Sequence, residues 1–212
     1  MRFMEKGSSR PRSEPFSVGG EEFLPWVQMY RRGVSMAPFE IRRRQNRDQL
    51  MRVLQTSQPL RDKVSTWRAG TEPGSMAEIK QVFYRVSEYV TQGSYLDIDR
   101  DATHVAVTGE GSRLVLLKAA YDVLDIDSQI YLVKSKYETP TVLPAGEYER
   151  YNRAVLRVET PRGVRWLKPN QSDAMFGAVP VASIGQPAVC LTCSSEEAND
   201  GRPTRSMPTR AS

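Results

Sequence analysis

The chain has 212 residues, 39% of them hydrophobic, which is enough for one ordinary core with length to spare for terminal arms. Its net charge of +5 is uneven: residues 1–70 hold 14 Lys/Arg against 7 Asp/Glu, or +7, and the rest hold 16 against 18, or −2. No apolar run is long enough to span a bilayer, and two cysteines with one histidine far away in sequence make half a zinc site at best, so neither a transmembrane segment nor a metal or other cofactor is expected.

Residues 1–18 are rich in Ser, Arg and Pro without periodicity and read as a disordered arm. Met1 to Phe16 lacks the apolar segment of a signal peptide, which predicts a cytoplasmic chain unless it is a piece of a longer exported one. Glu22 to Tyr30 predicts a short strand, with Pro25 at an edge or a strand start. After Gly33 the pattern turns helical, with Ser35 as cap and Pro38 near the first turn, and continues through Leu50, Val53 and Leu54. Its Arg42-Arg43-Arg44 run could touch phosphates, but no aromatic residues interleave with it, so it reads as a solvated helix face and nucleic acid is not the expected partner.

Pro59 opens a second helix, in which Leu60, Val64 and Trp67 share a face and Gly70 closes the end. Ser75-Met-Ala-Glu78 is a capping box for a third, with Ile79, Val82, Phe83, Val86 and Val90 inward. Residues 93–108 read as an acidic loop with a short extended piece from His104 to Val107, and His104 there reads as a partly buried histidine with satisfied hydrogen bonds rather than a catalytic one. Gly109-Glu-Gly-Ser112 then hinges into a helix, Leu114 to Leu124, that is apolar on nearly every side and must be buried. Its lead-in leaves backbone N–H groups available where glycine permits close approach.

Beyond Leu124 the period becomes extended. Asp127 to Ser135 is a strand, and Tyr151 to Glu159 and Val164 to Leu167 form a hairpin around Pro161-Arg-Gly163. Residues 171–186 read as an ordered loop, Ala188 to Leu191 as a last strand, and residues 194–212 as a disordered tail. Cys190 and Cys193 read as two ordinary thiols at a strand end, because a redox pair would want a helix start and Glu196-Glu197 downstream oppose acidification. Helices first, then a buried helix feeding an antiparallel sheet, is an α+β arrangement.

The chain carries Phe83-Tyr-Arg-Val-Ser-Glu-Tyr-Val90, then Gly109-Glu-Gly111 before the Leu-rich helix, then Ile130 to Val133, Asn152-Arg153 and Trp166-Leu-Lys-Pro169. Phe176-Gly-Ala-Val-Pro180 and Gln186-Pro-Ala-Val189 follow. In this order the segments resemble bacterial transglutaminase-like domains of the papain-like cysteine fold, of the kind that follow a β-rich N-terminal domain and are often envelope-associated. The resemblance covers Leu24 to Leu191 and implies one such domain over residues 19–193. Active members hold a cysteine at a helix start, a histidine opening the next strand but one, and a carboxylate on the neighbouring strand. Those positions here read Gly111, Arg153 and Lys168.

The resemblance therefore implies a catalytically inactive domain that serves as a binding or scaffolding module for an unidentified protein or peptide. Gly111, Ser112, Arg153 and Lys168 would form an anion-accepting cleft, with Glu110 as an internal competitor. The alternative is a weakly active amide hydrolase or acyltransferase using Ser112 with Lys168, which requires the lysine pKa to be lowered by burial or by a neighbouring cation.

Overall fold

A computed structural model describes residues 38–91, 99–133, 151, 153–169, 174–178, 183–186 and 188–193. The expected arm, the strand at 22–30, the Ser35 cap, the loops over 92–98 and 134–150 and the tail from 194 lie outside these residues. Among the described residues the chain forms five helices and then a four-stranded antiparallel sheet, an α+β fold. The helices are α1 (Pro38–Val53), α2 (Gln58–Arg68), α3 (Met76–Tyr89), α4 (Ala102–Thr108) and α5 (Arg113–Val123). The strands are β1 (Ser128–Val133), β2 (Arg153–Val158), β3 (Arg165–Leu167) and β4 (Ala188–Cys190), in the order β3-β2-β1-β4.

Local chemistry sets the helix limits. Ser57 caps α2 and Pro59 sits in its first turn, where its missing N–H costs nothing. Leu60, Val64 and Trp67 turn inward, and Gly70, at φ 83°, follows the last turn in the left-handed conformation that glycine adopts without strain. At α3 the Ser75 hydroxyl accepts the Glu78 N–H (3.1 Å), while the buried Glu78 carboxylate reaches back to the Gly74 N–H (2.6 Å). The same carboxylate pairs with Arg68 (3.1 Å), and the Gln81 amide donates to the Trp67 and Ala69 carbonyls (2.7 and 3.2 Å). The start of α3 therefore closes the end of α2.

The extended piece expected at His104 to Val107 is helical instead. Asp101 accepts the His104 N–H (2.7 Å) as a cap, Ala102, Val105 and Ala106 are buried, and Gly109 ends the helix at φ 74°. Seven residues with Thr103, Val105, Val107 and Thr108 among them imitate a strand in composition, and the cap with three buried positions outweighs that preference. His104 is exposed on this helix rather than partly buried.

The buried post is α5, every residue of which from Arg113 to Tyr121 is buried. It packs on α2, α3 and α4 and on the inner sheet face formed by Ile130, Leu132, Ala154, Leu156, Val158 and Leu167. Its one aromatic residue, Tyr121, is fully buried and donates its hydroxyl to the Ile79 carbonyl of α3 (2.9 Å). Burial holds that phenol well above its ordinary pKa, so it stays protonated as a donor. The sheet's outer face carries a second cluster, Tyr131, Val133, Val155, Trp166, Ala188, Cys190 and Cys193.

Replacing Tyr121 by Phe removes this second bond to a carbonyl that also belongs to the α3 ladder and should cost about 1 kcal/mol in urea unfolding, with far-ultraviolet dichroism unchanged. A wild-type midpoint would remove this tie between α3 and α5.

Candidate functional site

The expected site residues fall into two local groups. The first is the hinge from Gly109 to Arg113 between α4 and α5. Thr91 donates its N–H to the Gly109 carbonyl (3.1 Å), and a Cβ at Gly109 would stand 3.1 Å from the Tyr89 carbonyl, which fixes the hinge against the end of α3. Glu110 pairs with Arg100 (3.0 Å), so the acid expected to compete for Arg153 or Lys168 is held by a different cation. Both partners are substantially exposed, and the pair contributes little to stability.

Gly111 has φ 134°, a conformation that residues with side chains rarely adopt. A Cβ there would lie 2.6 Å from Val105 Cγ2 and 3.7 Å from Arg100 Cβ and Cδ. Both the backbone and the neighbouring valine thus oppose any side chain at this position. Ser112 follows as the N-cap of α5. Its Oγ accepts the Val115 N–H (3.3 Å), its carbonyl accepts the Leu116 N–H (3.1 Å), and it is fully buried. The hydroxyl oxygen is therefore engaged in holding the helix start.

Sequence reasoning passed over Arg113 and Arg100. Arg113 is the first residue of α5, is buried, and donates through Nη2 to the Val90 carbonyl, while its Nε has no hydrogen-bond partner. Burial lowers its pKa. A cation at a helix N-terminus opposes the helix dipole, so the carbonyl of Val90 compensates only part of the cost. The available signal was a charged residue inside an otherwise apolar run, Ser112-Arg-Leu-Val-Leu-Leu117.

The second group lies on the sheet. Arg153 opens β2 opposite Val133, and β2 pairs with β3 through Leu156 with Leu167, Arg157 with Trp166 and Val158 with Arg165. Lys168, one residue past Leu167, falls level with Val155 by this register, on the side of the sheet shared by Arg153, Val155, Arg157 and Trp166. Arg153 and Lys168 are both half-buried. The Lys168 pKa is lowered, first by burial and then by the charge of Arg153, which places the two cations within electrostatic reach of each other. Arg157 pairs with Glu159 on the same strand.

Cys190 and Cys193 are not two free thiols but a disulfide. The chain bends after Leu191, which faces the inner core, and Cys193 returns to the outer face beside Cys190. Spacing alone does not reveal that bend. Among the described residues no group of three His, Cys, Asp or Glu could hold a metal ion, and no helix is long and apolar enough to cross a membrane.

Two outcomes follow from these contacts. Gly111→Cys should destabilise the protein by about 3 kcal/mol through backbone strain and overpacking. Combining it with Val105→Ala should cost less than the sum of the two single changes, whereas strict additivity would mean the valine is not the obstacle. For Lys168 the folded pKa is depressed, so the folded chain resists its protonation more than the unfolded chain does. That penalty is full below the depressed value, shrinks as pH rises through the window up to the ordinary value of 10.5, and vanishes above it. Lys168→Met should therefore raise the melting temperature at pH 7, with a gain that fades towards pH 10.5; a pH-independent change would contradict the linkage.

No protein-family model matches the sequence, and no curated protein does. Among solved structures, the fold is similar to that of a protein from Parabacteroides distasonis described as "a putative protease", with a TM-score of 0.52 and 12% sequence identity. The similarity covers 79% of this chain and 31% of that one, so this chain spans less than a third of that protein's length. At this identity the likeness concerns the fold alone.

Proposed function

We propose that this chain is a catalytically inactive transglutaminase-like domain of the papain-like fold that serves as a binding or scaffolding module. The observation that carries the proposal is the state of Gly111, where φ 134° and the 2.6 Å approach of Val105 oppose a side-chain nucleophile. The other two triad positions hold cations, and neither a guanidinium nor a protonated amine can accept a proton. The order of the sequence segments supports the family assignment, and the likeness to a solved structure is compatible with a papain-like fold.

The half-buried Arg153 and Lys168 lie on one side of the sheet, and the Lys168 pKa is depressed first by burial and then by the charge of Arg153. An anion between them offsets that charge. The module would therefore accept a carboxylate or phosphate group, such as an acidic side chain or the C-terminus of a partner. An anion favours the protonated lysine, so affinity falls as pH rises through the lysine's depressed pKa.

One observation favours the second reading, a Ser112 hydrolase or acyltransferase: a lowered lysine pKa is what a Lys168 base requires. Against it, Ser112 is fully buried and its oxygen caps α5.

Titration with inorganic phosphate and with an acidic peptide, followed by calorimetry, tests the module. Arg153→Ala with Lys168→Ala should weaken binding about tenfold or more. Equal weak binding in both proteins sinks the anion-accepting site. A covalent serine-directed probe should leave Ser112 unmodified in the folded protein, and stoichiometric labelling there would establish the enzyme instead.

A further inference from the structure

The disulfide between Cys190 and Cys193 encloses only Leu191 and Thr192. A ring this small removes little freedom from the unfolded chain, so crosslinking is a weak reason for its presence. Nor does the bend depend on it. Leu191 donates its N–H to the Ile130 carbonyl (2.8 Å), the Ile130 N–H donates to Thr192 Oγ1 (2.9 Å), and Cys190 pairs with Tyr131 in the sheet. These bonds hold the end of β4 on β1 whether or not the sulfur atoms are joined.

Both sulfur atoms, in contrast, have donors placed to receive charge. The Cys193 N–H points at Cys190 Sγ (3.0 Å). The Tyr131 hydroxyl lies 3.6 Å from Cys193 Sγ; a disulfide sulfur carries no proton, so only the hydroxyl can donate across that distance. Tyr131 also reaches Gln129 Oε1 (3.3 Å), an alternative acceptor while the sulfur is neutral. Hydrogen bonds to a thiolate lower its pKa and make it the better leaving group. Here a backbone amide and a phenol supply what a helix start supplies elsewhere.

We propose that Cys190–Cys193 is a thiol–disulfide exchange site whose co-substrate is a low-molecular-weight thiol. An external thiolate attacks Cys190 Sγ, on the less buried of the two cysteines (8% against 4%), forming a mixed disulfide as the Cys190–Cys193 bond breaks. Cys193 leaves with the electron pair, and Tyr131 turns its O–H from Gln129 to the new thiolate. A second external thiolate attacks the small-molecule sulfur of the mixed disulfide and releases Cys190 as a thiolate that accepts the Cys193 N–H. Two external thiols are oxidised to one disulfide, and the protein disulfide is reduced to two thiols.

The test equilibrates the folded full chain with graded mixtures of reduced and oxidised glutathione, then quenches with acid, alkylates and weighs the protein. Half-reduction should occur at one finite ratio reached from either direction, both thiols appearing together and dichroism unchanged. Tyr131→Phe, with unchanged dichroism, should slow native-state reduction by dithiothreitol about threefold or more. A bond that survives excess dithiothreitol in native buffer and yields only in denaturant would overturn the proposal. So would reduction of Tyr131→Phe at the wild-type rate, or loss of the native dichroism spectrum in the Cys190→Ser, Cys193→Ser double variant.

Discussion

The fold depends on one constraint: from Arg113 to Tyr121, α5 has no residue that faces water. Leu114, Val115, Leu116, Leu117, Ala119, Ala120 and Tyr121 are all fully buried, and a helix apolar around its circumference needs partners around its circumference. The partners are α2, α3 and α4 and the inner face of β1 and β2. At about 1.5–3 kcal/mol for each large apolar side chain removed from water, the burial of this helix contributes substantially to holding the chain together. Of its polar groups, Lys118 pairs with Asp122 one turn later and Tyr121 donates to the Ile79 carbonyl of α3, while the buried Arg113 Nε has no hydrogen-bond partner.

That constraint shapes the hinge before it. Because α5 is held from all sides, its first turn cannot shift to make room, and the two glycines with Ser112 take up the whole change of direction from α4. Gly109 accepts a left-handed backbone against Tyr89, and Gly111 accepts φ 134° against Val105. The electrostatics of the region are unusual for a helix start, since Arg113 is buried on the first turn. On the sheet, the proximity of Arg153 and Lys168 is similarly costly, and burial is the larger part of the lysine's shift. Both groups thus hold cations at reduced exposure, Arg113 in one and Arg153 with Lys168 in the other.

Much of this architecture was legible in the chain because it rests on local rules. The Ser75 capping box, the Leu60, Val64 and Trp67 face, the hairpin around Pro161-Arg-Gly163 and the all-round burial of α5 follow from spacing and turn chemistry alone. The parts that were not legible depend on non-local contacts. Helix α4 is too short for periodicity to emerge and is held by Asp101 and by burial against its neighbours. The disulfide depends on a bend after Leu191 that no spacing of two cysteines specifies. At the candidate site the flanks pointed to Gly111, Arg153 and Lys168 only through the resemblance. The tight approach of Val105 to Gly111 and the commitment of the Ser112 oxygen required the packed structure.

Tyr89 gathers three helices at one side chain. It is the last residue of α3; its ring meets Trp67 of α2 edge-on at 5.6 Å and lies under the Lys63 ammonium at 3.9 Å. Its hydroxyl is within hydrogen-bonding distance of the Ala106 and Val107 carbonyls at the end of α4 (2.8 and 3.1 Å). A seven-residue helix would ordinarily fray faster than its longer neighbours. Tied through this phenol, the end of α4 opens only when the contacts of α2 and α3 also give, so the three helices form one cooperative unit. The hinge that leads to Gly111 thereby inherits the opening free energy of that larger unit rather than that of a single short helix.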